Sequence, residues 1–430
     1  SQMRKFMVLG AVTLLLVAGT LTAQEQPQKP SYTLDEYNAY QAAATEKNPT
    51  QRVKLLDAFI EKYPQSTMMK EYVHPLYLRT AAEAFQAKNF QAATDVADRF
   101  LTLQGAEPAG RFRAIYLRTL SYHSIANPTP EASAKENTLA KEALQLLPTL
   151  PKPAEVAQAD HDKQIQDAKL LMNFTIGATA LQAKNYAEAA EGFRAALAIN
   201  PTDASINYRL GLALLQKEPA DHQDGFWRLA RAIALKITGE AQVRSYLRNQ
   251  ILRYQNTQCD QELDRQVNEI VALAAQSPER PVDFEVASDA DLQVARANVE
   301  KFLETLQAGG PEAKTLWLAV CGLEFPEVAV KVIEVQDNGQ STVLKAFRAP
   351  TAEEMEAATA ANMEITVTEQ PEARRVKKDS FVRFTGTLSG YQPEPFLLSW
   401  NPAKVNPEDI PAEEPEPAKK TKRPPKKPRG

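Results

Sequence analysis

One stretch of the chain occurs twice, and this repetition constrains the fold more than any other feature. Residues 84–101, AFQAKNFQAATDVADRFL, align without a gap with 180–197, ALQAKNYAEAAEGFRAAL. Ala84/Ala180, Gln86/Gln182, Ala87/Ala183, Lys88/Lys184, Asn89/Asn185, Ala93/Ala189 and Leu101/Leu197 are identical. Apolar residues recur three and four apart in both copies, as a helix with one buried stripe requires. A short unit of this kind cannot bury its apolar face alone and must stack on its neighbours. The same spacing runs through residues 33–275. The expected body is an array of helical hairpins over 50–275, after an N-terminal segment and first helix at 24–49.

The second copy resembles a tetratricopeptide (TPR) repeat. With Pro201 at the closing proline, the unit spans 170–203, with Gly177, Tyr186, Ala189, Phe193 and Ala196 at its alternating small and large positions. Small residues let two helices approach, Phe193 fills the wedge between them, and Pro201 ends the second helix. Asn173 stands where the family places a tryptophan-like residue, which is a departure. The next unit, 204–237, has Gly211 at its matching place and, after a two-residue insertion, Gly225, Leu229 and Ala232, and 74–107 has Ala81, Ala93 and Ala97. Leu55 to Pro64 reads as the end of an earlier unit and 111–147 as a degenerate one with a long turn at Asn127-Pro128-Thr129-Pro130. Pro148, Pro151 and Pro153 interrupt the array before a helix at 155–183, and 240–275 supply a closing pair.

The resemblance implies a groove lined by the first helix of each unit. Its positions here are Leu78, Ala82, Phe85 and Gln86, then Leu171, Phe174, Ala178, Leu181 and Gln182, then Tyr208, Leu212, Leu215 and Gln216. Pro75 and Ser205 occupy the remaining places. None is basic, unlike the groove of TPR co-chaperones that clamp a C-terminal carboxylate. An apolar groove of this kind suits a partner helix or an extended apolar segment. The alternative is that these side chains pack against the protein's own helices.

After a helix expected at 289–307 and Gly309-Gly310-Pro311, within a linker at 276–311, the period changes. Glu327 to Val332 alternates as a strand does, and Asp337-Asn338-Gly339 is a hairpin turn. Ser341 to Phe347, Glu364 to Thr368, Ser380 to Leu388 and Phe396 to Trp400 read as further strands, with a short helix at 352–361. Several short strands in so few residues suggest a small β-rich domain at 312–402, a barrel or curled sheet. Residues 376–400 resemble the OB-like modules that follow TPR arrays in some exported bacterial proteins; another small β-fold is the alternative. Phe381, Arg383, Phe384 and Tyr391 could be read as a single-stranded nucleic-acid face. Phe381 and Arg383 share one strand face and Phe384 the other, as a half-buried strand requires. No nucleic acid is therefore expected as a partner.

The chain's first residues carry a targeting pattern. Arg4 and Lys5 precede an apolar run from Phe6 to Val17, and Ala23 offers a cleavage point. This is the grammar of a signal peptide at 1–23, and an uncleaved anchor is the alternative. Export to a bacterial periplasm or other extracytoplasmic space is expected. Without residues 1–23, 48 basic residues face 54 acidic ones. Seven of the basic ones, Lys419, Lys420, Lys422, Arg423, Lys426, Lys427 and Arg429, crowd into a proline-rich tail within 403–430, so the body before it is strongly acidic. Such a tail cannot bury a core and reads as disordered, a solubilising segment or a tether to an anionic surface.

Catalytic signals are missing. His74, His123, His161 and His222 are scattered without metal-ligand spacing, and no GxSxG, Walker loop or GxGxxG occurs. Cys259 and Cys321 fall in separate expected domains; two free, buried thiols are expected, and a bridge between them in an oxidising compartment is the alternative. The fold class that follows is mainly α: a TPR-type helical-hairpin superhelix, then a small β-barrel-like, OB-like domain. The expected function is an exported scaffold for protein partners in the cell envelope, without cofactor, metal or catalysis. The alternative is binding of an envelope polymer or anionic surface through the β-domain and tail.

Overall fold

A computed structural model describes residues 31–297 and 301–413. The expected signal peptide and the seven tail cations lie outside the described residues. The chain divides into two compact units. One runs through Leu247 and takes up Glu269–Phe284; the other holds Arg248–Asn268 and the chain from Glu285 onward.

The first unit is built of antiparallel helix pairs. Helix α1 (Leu34–Thr45) packs on α2 (Pro49–Lys62), α3 (His74–Gln86) on α4 (Phe90–Leu101), and α5 (Pro108–Tyr122) on α6 (Pro130–Leu146). Helix α7 (Gln158–Gln182) packs on α8 (Tyr186–Ile199), and α9 (Ala204–Gln216) on α10 (His222–Ala234). Each pair also touches the next, through α2 and α3, α4 and α5, α6 and α7, and α8 and α9. A closing pair, α11 (Glu240–Gln255) and α12 (Asp260–Gln276), has its residues divided between the two units.

The identities in the repeat are explained by backbone geometry. Ala87 and Ala183 end their helices, and Lys88 and Lys184 both turn into the left-handed region at φ 60°. Asn89 N–H then returns to Ala84 O at 2.9 Å, and Asn185 N–H to Ala180 O at 2.8 Å. The Asn89 and Asn185 side chains accept from Ala92 N–H and Glu188 N–H to start the next helices. The shared Ala-Lys-Asn is thus a helix stop followed at once by an N-cap.

The wedge in the second copy is as tight as its sequence implies. Phe193 is fully buried. A Cβ on Gly177 would lie 2.7 Å from the Phe193 ring, and one on Gly192 would lie 2.6 Å from the Gly177 backbone nitrogen. Helices α7 and α8 therefore meet backbone to backbone. In the next pair a Cβ on Gly211 would meet Leu229 at 2.9 Å.

The second unit carries the β-domain. Strands β1 (Glu324–Asp337), β2 (Ser341–Phe347), β3 (Met363–Thr368), β4 (Phe381–Pro393) and β5 (Phe396–Val405) close into a barrel in the order β1-β2-β3-β5-β4. The β3–β5 pairing is parallel and the others are antiparallel. Long, bent β1 pairs β4 through its first half and β2 through its second, with register shifts on both sides that re-aim it. Alternation is strict in β2 and β3, whose inward residues Leu344, Ala346, Met363, Ile365 and Val367 meet Phe384, Leu398 and Trp400. The turn at Asn338-Gly339 forms as expected, with Gly339 at φ 81° and its N–H on Asp337 Oδ1 at 2.9 Å.

Four expectations change here. Asp289–Ala297 (α13) and Phe302–Ala308 (α14) are separate helices where one was expected over 289–307. Gly309 at φ 70° ends α14 and at the same time caps a further helix, α15 (Gly310–Val320), so 312–320 is helical. Pro311 sits in its first turn, where a missing N–H costs nothing. Cys259 and Cys321 are not free thiols: they form a buried disulfide across 62 residues. Nearby, Thr257 Oγ1 donates to Leu318 O at 3.0 Å and Gln261 Nε2 to Ser389 O at 2.7 Å. These bonds explain why 248–268, expected to belong with the helical array, falls in the second unit. The short helix expected at 352–361 occurs as α16 (Ala352–Ala357), held by a Thr351–Glu354 capping box.

Candidate functional site

The expected groove residues divide into three groups. Leu171 and Phe174 are buried, Leu171 among Phe112, Ile115 and Leu139, Phe174 against Phe193 at 6.1 Å between ring centres. Leu215 fills the space that a Cβ on Gly225 would need, so it packs inside its own helix pair. Leu78, Ala82 and Phe85 are half-buried against the neighbouring core. These six serve packing. Tyr208 and Leu212 are half-buried, and Gln86 and Gln216 are exposed.

Leu181 and Gln182, with Ala178, instead line an open pocket of about 370 Å³. Its other walls are Tyr122, His123, Ile125, Pro128 and Arg209. The pocket thus collects side chains from α5 and the turn after it, from α7, and from α9. These are the first helices of three consecutive pairs, met at the C-terminal ends of α5 and α7 and near the middle of α9.

Its polar groups are unequal. Thr175 donates its hydroxyl to Leu171 O at 2.7 Å, so it accepts the His123 Nε2–H at 2.8 Å. Burial, with the Arg209 charge beside it, pushes His123 down to about 4, and the ring is neutral at physiological pH. Phe174 lies 5.4 Å from the His123 ring and also carries the Arg209 guanidinium, at 5.6 Å. Burial pulls Arg209 below the ordinary arginine range, against the opposing influence of Tyr208 and Asp203. No hydrogen bond or ion pair to Arg209 occurs among the described residues. Gln182 Oε1 accepts from Ser133 Oγ at 2.9 Å, and Ser133 is also bonded to Tyr122 Oη at 2.8 Å.

Sequence reasoning missed Arg209 and His123. Arg209 follows Tyr208, one place outside the five positions assigned to the groove, and His123 ends the helix of the degenerate unit. The signal that could have found Arg209 is its place one turn before Leu212 and Ala213, as the one charged residue of α9.

A second pocket, of about 210 Å³, is enclosed by Phe112, Leu147, Leu150, Pro151, Val156 and Ile165 under the proline-rich bend. Lys152 at its rim is spent on Pro153 O and Val156 O. Arg113, half-buried and without a hydrogen bond or ion pair among the described residues, completes its wall with His161 and Gln164.

The barrel face that sequence singled out is internally satisfied. Arg383 reaches Asp409 at 3.0 Å, Glu408 at 3.4 Å and Glu327 at 3.5 Å. Phe384 is core, and Tyr391 donates its hydroxyl to Leu306 O at 2.7 Å. Only Phe381 is exposed. Among the described residues no group of three or more His, Cys, Asp or Glu side chains is placed to hold a metal ion, and no helix is long and apolar enough to cross a membrane.

No family model matches this sequence, and no curated protein does.

Proposed function

We propose that this protein is an exported, TPR-type adaptor whose helical unit holds a partner protein in the cell envelope, without chemistry of its own. The observation that carries the reading is the pocket lined by three successive first helices, with Leu181, Gln182 and Arg209 open to it. Repetition of the same helix stop and cap at Lys88-Asn89 and Lys184-Asn185 supports the repeat type. The barrel's strand order and its parallel β3–β5 pairing support an OB-like module beside it. The buried Cys259–Cys321 bond supports an oxidising compartment.

The test is recovery of a cross-linked envelope partner by the chain beginning at Gln24. Leu181→Asp and Leu212→Asp place charge on half-buried groove positions. Recovery should fall at least about tenfold, as loss of a central apolar contact of 1.4 kcal/mol or more demands. Undiminished recovery with both variants folded would sink the adaptor reading.

The uneven charge favours a second role for the tail. Seven cations within 418–430 follow an acidic body. Each basic residue near an anionic membrane contributes about 1 kcal/mol. Anionic vesicles should sediment the full chain at low salt and lose it at high salt, because the Debye length shrinks. A chain ending at Pro417 should not sediment; if it does so equally well, the tail is no tether.

A further inference from the structure

The groove pocket contains one cation that the protein itself does not neutralise. Other arginines of the helical unit, Arg113 at the second pocket excepted, show the contrast. Arg99 meets Asp57 at 2.8 Å, Arg111 meets Glu142 at 2.7 Å, and Arg118 meets Asp98 at 2.6 Å. Arg52, buried like Arg118, is also paired, with Glu83 at 2.5 Å. Arg209 is half-buried, stacked on Phe174, and has no acceptor. No aspartate or glutamate lines its pocket. A partly desolvated guanidinium without an acceptor is costly, and an arriving anion recovers that cost.

The rest of the pocket defines what arrives. Gln182 has its oxygen engaged by Ser133, so its amide N–H groups remain as donors beside Arg209. The neutral His123 adds no second charge. One guanidinium fork and one amide match a single carboxylate; a phosphate dianion calls for more cations. Leu181, Ala178, Ile125 and Pro128 flank the donors with apolar surface.

We infer that the pocket formed by Arg209, Gln182 and their apolar neighbours takes the side-chain carboxylate of an acidic residue flanked by apolar residues in an extended segment of the partner protein. The inference rests on the adaptor reading and gives the partner its chemistry. Specificity comes from the carboxylate, because an amide in its place leaves Arg209 unpaired.

The probe is acetyl-Leu-Glu-Leu-Glu-Leu-amide, with its twin carrying glutamine for glutamate. Both are amidated, so only side chains supply carboxylates. Calorimetry on the chain beginning at Gln24, at low salt, should show the acidic peptide binding at least about tenfold tighter. Arg209→Gln should bring the ratio to about one, while Arg209→Lys, which keeps charge and stem but loses the fork, should keep part of the preference. In the unsubstituted protein the Arg209 Nε–H resonance should move with the acidic peptide and stay with its twin, a readout independent of any variant's folding. Equal affinity for the two peptides, a preference that survives Arg209→Gln, an unmoved Arg209 resonance or binding of neither peptide each overturns the carboxylate site. Equal affinity that Leu212→Asp abolishes does so while leaving the adaptor reading intact; partner recovery insensitive to Leu181→Asp and Leu212→Asp removes that reading itself.

Discussion

Phe193 and Gly192 are the residues on which the packing of α7 against α8 depends. Phe193→Ala removes a fully buried ring and should cost about 3–5 kcal/mol in urea denaturation. Gly192→Ala adds one methyl, yet its first obstacles are the Gly177 nitrogen at 2.6 Å and Asn173 O at 2.9 Å, which are backbone and cannot rotate away. It should cost about 1–3 kcal/mol, where an exposed helical glycine would gain from alanine. Stability within 0.5 kcal/mol of the parent protein would mean the helices do not approach this closely. His123 makes stability depend on pH. Its folded value of about 4 lies below the ordinary 6.5, so the unfolded chain binds the proton more readily in between. The contribution is complete above about pH 6.5 and is lost as pH falls toward 4, a total of about 2–4 kcal/mol. His123→Gln does not titrate, and its urea midpoint should change less between pH 7 and 4.5 than the parent's. An identical change in both would place the acid sensitivity elsewhere. Phe193 and Gly177 were legible because the TPR resemblance of 170–203, with Pro201 at its closing proline, implies a large residue in the wedge and a small one beside it. Arg209 and His123 were not, because each becomes unusual only when α5, α7 and α9 bring them to the same ring, Phe174.

At the level of elements, strong local signals carried through to the structure. Asn89, Asn185, Asp203 and Asp221 each cap a helix from the side chain, and β2 and β3 alternate without a break. Ambiguous punctuation did not. Gly309-Gly310-Pro311 reads equally as the end of one helix or the start of another, and the protein uses it for both. The Cys259–Cys321 link stood in the sequence only as the alternative to free thiols, because it joins the segment ahead of α12 to the end of α15, neighbours only after folding. Its contribution is testable within the second unit. A bridge closing a long loop removes freedom from the unfolded chain, typically about 2–5 kcal/mol when a native one is lost. Cys321→Ser should lower urea stability by that amount, and reductant should lower the parent's stability without affecting the variant. Near-UV signals of Trp317 and Trp400, both in the same core cluster as Cys321, give the readout. Reductant acting equally on both proteins would show that the bridge does not stabilise this unit.

For the whole molecule, the compartment decides whether that bond exists at all. The chain has two cysteines, and both are consumed in it. Cysteines 1 % and 3 % exposed are shielded once the protein folds, so oxidation must accompany folding. In the cytosol, glutathione and thioredoxin hold thiols reduced; in exported space the pair closes and persists. The proposed export agrees with this, since Arg4, Lys5 and the apolar run to Val17 match the grammar of a signal peptide. The two signals are independent, one a proposed address and the other a chemical requirement, and one preparation tests them together. Protein isolated from its native host under thiol-trapping conditions should begin near Gln24 and show no reactive thiol until reduced and unfolded, when two appear. A processed chain with two free thiols would separate export from the bond. An intact N-terminus with reduced cysteines would place the protein in the cytosol and overturn the envelope reading, leaving the pocket at Arg209 to be matched with a partner there.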